Sequence, residues 1–177
     1  MGPDAQPGSM KNHALAALML LVFAVHPALA AQLQGRVVGV SDGDTITLLT
    51  SEQRQFRIRL SGIDAPEKKQ AFGAFAKESL SRQIFGRPVI VEWSRTDRYG
   101  RIVGRIEIDG TDVNLEQIRE GSAWVYTQYL KELPAADRQR YLDAEQEAKD
   151  ERRGLWRDLD PEPPWQWRRD QRSGGKV

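Results

Sequence analysis

Apolar and polar residues alternate with a period of two over much of residues 34–108. In the segment QFRIRL, residues 55–60, every second residue is apolar. This period is typical of a strand that packs one face against a core and turns the other face outward. Turn signals such as Asp42-Gly43-Asp44 separate the alternating segments. Together these features predict five strands, over residues 34–40, 45–50, 55–60, 88–93 and 102–108.

Two longer segments have the spacing of helices. Apolar residues recur every three or four positions over residues 70–85, and Gly86 is placed to end that helix. A later helix is predicted to start at Pro134 and to stop at Gly154.

A short third helix is predicted between these two. Asn114, with Gln117 three residues later, matches a capping box that opens a helix, and Gly121 is placed to close it. The aromatic segment 124–129 that follows is predicted to be extended.

The order of these elements predicts an α+β fold. Five short antiparallel strands with a helix between the third and the fourth describe an OB-fold barrel, and the three helices would cover its open end. In this fold the loops between strands 1 and 2 and between strands 4 and 5 border the ligand. Here those loops are residues 42–44 and 96–101, and both are rich in charged side chains.

The start of the chain has features of export rather than of a folded domain. Residues 1–9 are polar and rich in Gly and Pro, as in a cloning remnant. Lys11, an apolar run of about 12 residues and the small-residue motif Ala28-Leu29-Ala30 match a signal peptide cleaved directly after that motif. The short apolar run favours a cleaved signal peptide over the alternative, an uncleaved membrane anchor.

We expect a periplasmic or secreted protein with one domain over residues 31–160. A Pro-, Trp- and Arg-rich tail, residues 161–177, is expected to wrap along the domain and fray.

Charge and residue types narrow the possible chemistry. The 177 residues carry a formal net charge of +1, so anion binding must come from a local arrangement of charges. Because the chain has no cysteine, disulfides, thiolate nucleophiles and Cys-ligated zinc are excluded. Both histidines, His13 and His26, lie in the predicted signal peptide. A mature enzyme would therefore lack a histidine base and would rely on carboxylates, Arg, Lys, Tyr or an oxygen-ligated metal.

The stretch RLSGIDAPE, residues 59–67, concentrates charged groups on a stiff turn. Arg59 lies at the end of a predicted strand, on the face opposite its apolar residues. The proline after Ala65 holds that residue in extended geometry, so Asp64 and Glu67 lie on a rigid turn. Two acids and a guanidinium suit a hard cation and a phosphate. The alternative is a solvated, charged turn.

Three motifs occur in order on the predicted loops: DGDT at residues 42–45, RLSGIDAPE at 59–67 and TDRYGR at 96–101. Their combination resembles the thermonuclease (staphylococcal nuclease) family of secreted, calcium-dependent nucleases with an OB-fold. The resemblance covers about residues 34–156, and the ending PPWQWR at 163–168 looks like that of exported bacterial members.

The resemblance implies a calcium site. Asp44 and Asp64 would be the carboxylate ligands of one Ca²⁺, with the backbone carbonyl of Ala65 and water molecules completing the coordination. The family's type sequence has a threonine where Ala65 stands, but a backbone ligand needs no particular side chain. Asp42 is interpreted as a turn residue.

The resemblance also implies catalytic roles for three further residues. Glu67 would act as the general base or orient the attacking water. Arg59 and Arg101 would bind the reacting phosphate, because guanidinium stays charged and offers paired donors to phosphate oxygens. The alternatives are a solvated glutamate and ordinary outward-facing strand positions, as we expect for Arg57.

Substrate binding is assigned to three other residues by the same resemblance. Arg98 and Tyr99 would hold a nucleotide phosphate, and Tyr129 would line the base or sugar pocket. Core packing is the alternative for Tyr129. A second tyrosine of the family's nucleotide pocket corresponds to Thr127 here, so base stacking is expected to differ.

These features predict an exported, Ca²⁺-dependent phosphodiesterase of the endonuclease class. It would act as a monomer, off the membrane, on DNA and as a second candidate RNA, preferring single strands and leaving 3′-phosphates. A non-catalytic OB-fold module that binds single strands by stacking and charge is the alternative. An OB-type protein that binds another anion would need the arginines without the acids. The chain keeps both arginines and all three acids, which favours the enzyme.

Overall fold

The computed structural model describes Gly2 and residues 31–174, so the predicted signal peptide lies outside the described residues. The strands are β1 Ala31–Val40, β2 Thr45–Leu49, β3 Gln55–Leu60, β4 Ile63–Asp64, β5 Pro88–Thr96, β6 Ile102–Ile108, β7 Thr111–Asp112 and β8 Trp124–Val125. The α-helices are α1 Gly73–Ile84, α2 Val113–Arg119, α3 Ala135–Asp150 and α4 Pro164–Gly174, and two 3₁₀ helices span Thr127–Glu132 and Gly154–Arg157. None of these helices has the length and apolar character that a membrane span requires.

Five strands close into a barrel. Neighbouring strands pair in the order β3-β2-β1-β5-β6, and β7 extends the sheet beyond β6. These pairs are antiparallel, but the barrel is closed by a parallel pair in which Arg59 of β3 lies opposite Val103 of β6. The predicted OB-type α+β barrel is therefore confirmed, with one parallel seam in place of a wholly antiparallel sheet.

The predicted strands are present with small differences in their ends. β3 and β6 have the predicted bounds, whereas β1 begins at Ala31 and β5 continues to Thr96. A bulge in β5 between Trp93 and Arg95 shifts the register, so that pairing with β6 continues up to Thr96 and Ile102. An inserted residue of this kind cannot be recognised from a strict period of two.

One continuous apolar core fills the barrel and reaches under the helices. α1 contributes Ala76, Leu80 and Ile84 to it, and α3 contributes Tyr141 and Ala144. Burial of this apolar surface, at about 25 cal/mol per Å², is the main force that fixes the loops at the barrel rim.

The predicted capping box of α2 is wrong. The N-cap is Asp112, whose carboxylate accepts a hydrogen bond from the backbone N–H of Leu115 at 3.1 Å. Asn114 and Gln117 are fully buried within the helix instead of capping it. Asp112 fits the same N-cap preference, but the sequence alone did not place the end of the preceding turn.

The two buried amides of α2 tie the helix to the loops of the barrel. Asn114 Nδ2 donates to the backbone oxygens of Ser61 at 3.0 Å and Gly104 at 3.2 Å. Gln117 Nε2 donates to the backbone oxygen of Gly43 at 2.9 Å. Buried polar groups are kept only where they are hydrogen-bonded, so these contacts fix α2 against the β1–β2 and β3–β4 loops.

The segment 124–129 is not extended throughout, contrary to the prediction. Only Trp124 and Val125 form a strand, which pairs with β4, and the chain then turns into the 3₁₀ helix at Thr127.

α1 starts later than predicted, at Gly73, because Phe72 adopts a left-handed backbone with φ of 62°.

The tail lies against the domain, as expected, but residues 164–174 of it form a helix that was not predicted. Pro164 begins α4, in line with the preference for proline at the first helical position, and the helix continues to Gly174. α3 ends at Asp150, and Gly154 begins the short 3₁₀ helix instead of ending α3.

Candidate active site

An acid–arginine cluster lies at the rim of the barrel, where β2 begins and β3 ends. Asp44 directly precedes β2, and Thr45 pairs with Arg59 near the end of β3. The backbone N–H of Leu60 donates to the backbone oxygen of Asp44 at 2.9 Å. The chain then turns at Ser61 and Gly62 into β4, which carries Asp64.

Arg59 bridges the two aspartates. Its Nη1 lies 3.1 Å from Asp44 Oδ2 and its Nη2 lies 2.8 Å from Asp64 Oδ1. One planar guanidinium therefore contacts both carboxylates, so the two carboxylates lie no farther apart than its two terminal nitrogens can span. The Arg59 side chain is 13% exposed, so its charge acts in a partly dehydrated setting.

Further hydrogen bonds fix Asp44. Its Oδ2 accepts from the backbone N–H of Ala65 at 2.7 Å, and its Oδ1 accepts from the Thr45 hydroxyl at 3.0 Å. Gly43, just before it, packs so closely that a Cβ there would lie 2.6 Å from the Cβ of Ala76 and 2.7 Å from that of Ala65. The Asp-Gly turn is therefore required for close packing as well as for turn formation.

Burial changes the acidity of two aspartates in this region. Burial raises the pKa of Asp64 above its ordinary value, while the hydrogen bond from Arg168 and the charge of Arg59 act against that rise. Burial, followed by the neighbouring charge of Asp44, raises the pKa of Asp42 to about 6. Asp42 also accepts a hydrogen bond from the backbone N–H of Asp44 at 3.2 Å, as expected of a turn residue.

Glu67 lies beside this cluster on the turn before α1. Its backbone N–H donates to Gln70 Oε1 at 3.0 Å, and the Gln70 side chain donates in turn to the backbone oxygen of Glu162 at 2.6 Å. A Cβ at Gly73 would collide with the backbone oxygen of Glu67, so the turn depends on glycine there. The side chain of Glu67 is 39% exposed, which leaves it accessible to water.

Arg101 is oriented within its own loop, by Asp97. The Nε and Nη2 of Arg101 both lie 2.7 Å from Asp97 Oδ2, and its backbone N–H donates to Asp97 Oδ1 at 3.0 Å. Partial burial alone would raise the pKa of Asp97, but the hydrogen bonds from Arg101 and from the backbone N–H of Tyr99 hold it below its usual value. Sequence reasoning gave Asp97 no role.

The predicted substrate-binding residues lie on two separate segments. Tyr99 is 65% exposed. The guanidinium groups of Arg98 and Arg101 lie over its ring, with their central carbons 4.9 and 5.5 Å from the ring centroid. Tyr129 lies on the 3₁₀ helix after β8 and packs on Tyr126, with ring centroids 4.8 Å apart. Tyr129 is 39% exposed and therefore not buried in the core, but it packs beside Tyr126 as its alternative assignment expected.

Sequence reasoning missed Arg168, which contacts the acid cluster from α4. Its Nη2 lies 2.6 Å from Asp64 Oδ2, and its Nη1 lies 3.2 Å from Asp64 Oδ1 and 2.9 Å from Glu67 Oε1. No helix was predicted in the tail, and nothing local in the sequence indicated that Arg168 would reach Asp64.

The donors at this site suit a hard cation. The carboxylate oxygens of Asp44 and Asp64 are of the type that calcium prefers, and Ala65, whose N–H donates to Asp44, brings its backbone close to them. Within the part of the chain that the structure describes, no group of three or more acidic, histidine or cysteine side chains is placed to hold a metal ion. A cation here would depend on two carboxylates, with water or substrate oxygens completing its shell.

Comparison with known proteins places this site in a family. Residues 57–158 match the model of the staphylococcal nuclease homologues. An "uncharacterized endonuclease" of Escherichia coli is 44% identical over 154 residues, which cover 85% of this chain and 94% of that protein. A "micrococcal nuclease" of Shigella flexneri is 40% identical over 165 residues, 88% of this chain and 91% of that protein. The chain therefore belongs to the family of staphylococcal nuclease homologues.

Proposed function

We propose that this protein is an exported, Ca²⁺-dependent nuclease that hydrolyses phosphodiester bonds of DNA, preferring single strands, with RNA as a second substrate. The observation that carries the proposal is the Arg59 guanidinium held across Asp44 and Asp64, with Glu67 beside them. The endonuclease and nuclease names of the relatives agree with it.

The acid pair would hold the cation. Asp44, Asp64 and the Ala65 carbonyl would bind Ca²⁺, which tolerates an irregular shell of six to eight oxygens. When bound, the ion would supply positive charge next to a phosphate oxygen. The hydrogen bonds from Thr45 and the Ala65 N–H orient Asp44 for this task.

The reaction would replace a P–O ester bond by a P–OH group. The Glu67 carboxylate would orient a water molecule and take its proton as that water attacks phosphorus. Arg59 and Arg101 would donate to the phosphate oxygens, on which charge increases in the transition state. The bond to the 5′ oxygen breaks and that oxygen is protonated, so the phosphate stays on the 3′ side.

Substrate recognition would use the exposed aromatic and basic groups near this site. Tyr99 and Arg98 protrude from the β5–β6 loop, where a phosphate of the next nucleotide could be bound. Tyr129 offers a partly exposed ring to a base or sugar. Unpaired bases can reach such rings more easily than stacked ones, which favours single strands.

Export is the second part of the proposal. Residues 11–30 have the charge and apolar pattern of a signal peptide, and Ala31, the first residue of β1, would begin the mature chain. N-terminal sequencing of the protein from periplasm or medium tests this. A chain that still carries Lys11 would show that the segment is an anchor.

The nuclease proposal is tested by digestion of single-stranded DNA with calcium, with magnesium or with chelator. Calcium should support cleavage and magnesium much less, because Mg²⁺ requires near-octahedral geometry and loses water reluctantly. Glu67→Gln should lose most of the activity. Glu78→Gln, which alters an exposed glutamate on α1, serves as the matched control. Full activity in chelator would contradict the calcium assignment.

A further inference from the structure

The helix α4 lies beyond residues 57–158, which match the family model, yet it reaches into the acid cluster. The family match ends at residue 158, and α4 spans Pro164–Gly174. The Arg168 guanidinium contacts both oxygens of Asp64, at 2.6 and 3.2 Å, and Glu67 Oε1 at 2.9 Å. The contact joins residues 104 positions apart in the sequence, so it depends on how α4 docks.

Several contacts hold α4 in this place. The Trp165 ring stacks parallel to Tyr126, at 4° and 5.7 Å between centroids, and meets the Trp124 ring edge-on at 5.7 Å. The preceding segment is fixed because Gln70 Nε2 donates to the backbone oxygen of Glu162. Aromatic contacts of this kind add to the burial of the rings themselves. Arg168 is therefore placed by this packing together with its own ion pairs to Asp64 and Glu67.

Arg168 occupies carboxylate oxygens of Asp64 that a cation would need as ligands. Asp64 is 1% exposed, and its two oxygens together accept three hydrogen bonds, one from Arg59 and two from Arg168. A divalent cation on Asp64 would lie next to the Arg168 guanidinium, and two positive groups at such separations repel strongly in a partly dehydrated site. Arg168 Nη2 donates to Asp64 Oδ2, whereas Arg59 donates to Oδ1, so a cation bound at Oδ2 would compete with Arg168 and could leave the Arg59 contact in place.

We propose that Arg168 is a built-in counter-ion of Asp64 and Glu67 that calcium must displace, so that α4 sets the affinity of the site for the cation. Docked α4 neutralises the buried carboxylate in the absence of calcium, and it also occupies the Glu67 oxygen that would otherwise face water. Calcium binding releases Arg168 from both acids and loosens α4. This inference rests on the proposed calcium-dependent function.

The test is calcium binding without nucleic acid, measured by titration calorimetry on the full chain. Arg168→Gln should bind calcium about tenfold more tightly than the wild type, because it removes the competing charge. Arg169→Gln is the matched control, since the neighbouring exposed arginine donates to Gln166 on its own helix. Arg169→Gln should stay within about twofold of the wild type. Unchanged or weaker binding by Arg168→Gln would overturn the proposal.

A second measurement uses only the wild type, so it does not depend on whether a variant folds. Calcium should increase amide hydrogen exchange in residues 164–174 and leave exchange in α3 unchanged. Calcium binding with no change in α4 would contradict the coupling.

The two proposals fail differently. If calcium binds the wild type and Arg168→Gln equally, while DNA cleavage still requires calcium, the nuclease proposal stands and the role of Arg168 is wrong. If neither protein binds calcium, the calcium assignment is wrong and the counter-ion role falls with it. If Arg168→Gln binds calcium and the wild type does not, Arg168 competes strongly enough to prevent calcium binding, which supports the proposal.

Discussion

Arg59 and Arg101 are each oriented by carboxylates, but those carboxylates differ in setting. Arg59 bridges Asp44 and Asp64, which are themselves the proposed cation ligands. Arg101 is held by one carboxylate, that of Asp97, on the β5–β6 loop. It lies two residues before Val103, the residue of β6 that pairs with Arg59. Removing the positioning group of Arg101 therefore leaves the acid cluster intact, which makes Arg101 the better residue for separating binding from catalysis.

Replacing Arg101 with Lys should reduce kcat by roughly 10²-fold, the scale found for one preorganised donor in a transition state. The charge remains, but the planar fork that can donate to two phosphate oxygens at once is lost. The Kd of a single-stranded oligonucleotide should change far less, since an ammonium binds a ground-state phosphate nearly as well. Single-turnover rates and Kd, measured with calcium on the same oligonucleotide, give both quantities.

Arg57→Lys is the control for this substitution, because Arg57 lies on β3 with its side chain exposed. It should leave both the rate and the Kd unchanged. Equal losses of affinity and rate in Arg101→Lys would assign Arg101 to substrate positioning, and an unchanged rate would remove it from the catalytic set.

Asp97 stabilises its loop in a pH-dependent way. Its pKa is lowered in the folded protein, so its stabilising effect is present above the pKa of the unfolded chain and is lost as pH falls through the folded value. Asp97→Asn should lower the free energy of unfolding by about 1–2 kcal/mol at pH 7 and at pH 5, the scale of a hydrogen bond to a charged group. Urea unfolding at these pH values and at pH 3 tests this. A difference that does not shrink at pH 3 would contradict the ionic role.

The sequence identified most of the site because its residues are local. Asp64, Ala65 and Glu67 lie within four residues around a proline, and Arg59 lies near the end of the preceding strand, so their proximity follows from short-range geometry. Arg168 could not be found in this way. Its place at Asp64 depends on the packing of Trp165, which is a tertiary contact with no local signal.

At the scale of elements, α2 shows why a local signal can mislead. Asn114 and Gln117 have capping-box spacing, but both side chains are fully buried and bind backbone groups of distant loops. Strand positions were easier to predict because alternation reports directly which face is buried. The 3₁₀ helix at Thr127–Glu132 was missed because the aromatic residues of the whole segment 124–129 favoured an extended strand.

Asn114→Ala should lower the free energy of unfolding by about 2–4 kcal/mol. The substitution removes three hydrogen bonds to backbone groups, those of Ser61, Gly104 and Ile106, which are then left without this partner. Chemical denaturation monitored by tryptophan fluorescence measures the effect. Gln139→Ala, on the exposed side of α3, should cost less than about 0.5 kcal/mol. A loss of similar size in both variants would show that the Asn114 contacts do not stabilise the fold.

At the scale of the whole molecule, positive and negative charges nearly cancel, but the arginines are not equally available to bind nucleic acid. The formal net charge is +1, and many arginines are paired with carboxylates on the surface, such as Arg82 with Glu78 and Arg87 with Asp109. Such surface pairs attract nucleic acid weakly, because each positive charge is offset by its neighbour, whereas the acids paired with Arg59 are the proposed cation ligands. Binding should therefore depend on the few arginines at the barrel rim rather than on a broad basic surface.

This distribution predicts a shallow dependence of DNA binding on salt. If Arg59, Arg98 and Arg101 make the phosphate contacts, the slope of log K against log salt should be about −2, from roughly −0.7 per contact on single strands. Affinity should then fall by about 20-fold between 50 and 200 mM salt. The measurement uses Glu67→Gln with calcium held constant, so that the strand stays intact during the titration.

Substitution of Arg98 on the β5–β6 loop tests whether this residue contributes a phosphate contact to the salt dependence of DNA binding. Adding Arg98→Gln to the Glu67→Gln protein removes one phosphate contact, so the slope should become less negative by about 0.7. Adding Arg82→Gln, which changes an exposed arginine of α1 paired with Glu78, should leave the slope unchanged. Because the slope counts released counterions, it separates a true phosphate contact from a general loss of affinity. A slope steeper than about −4, or an equal change in both variants, would mean that binding uses a broad basic surface after all.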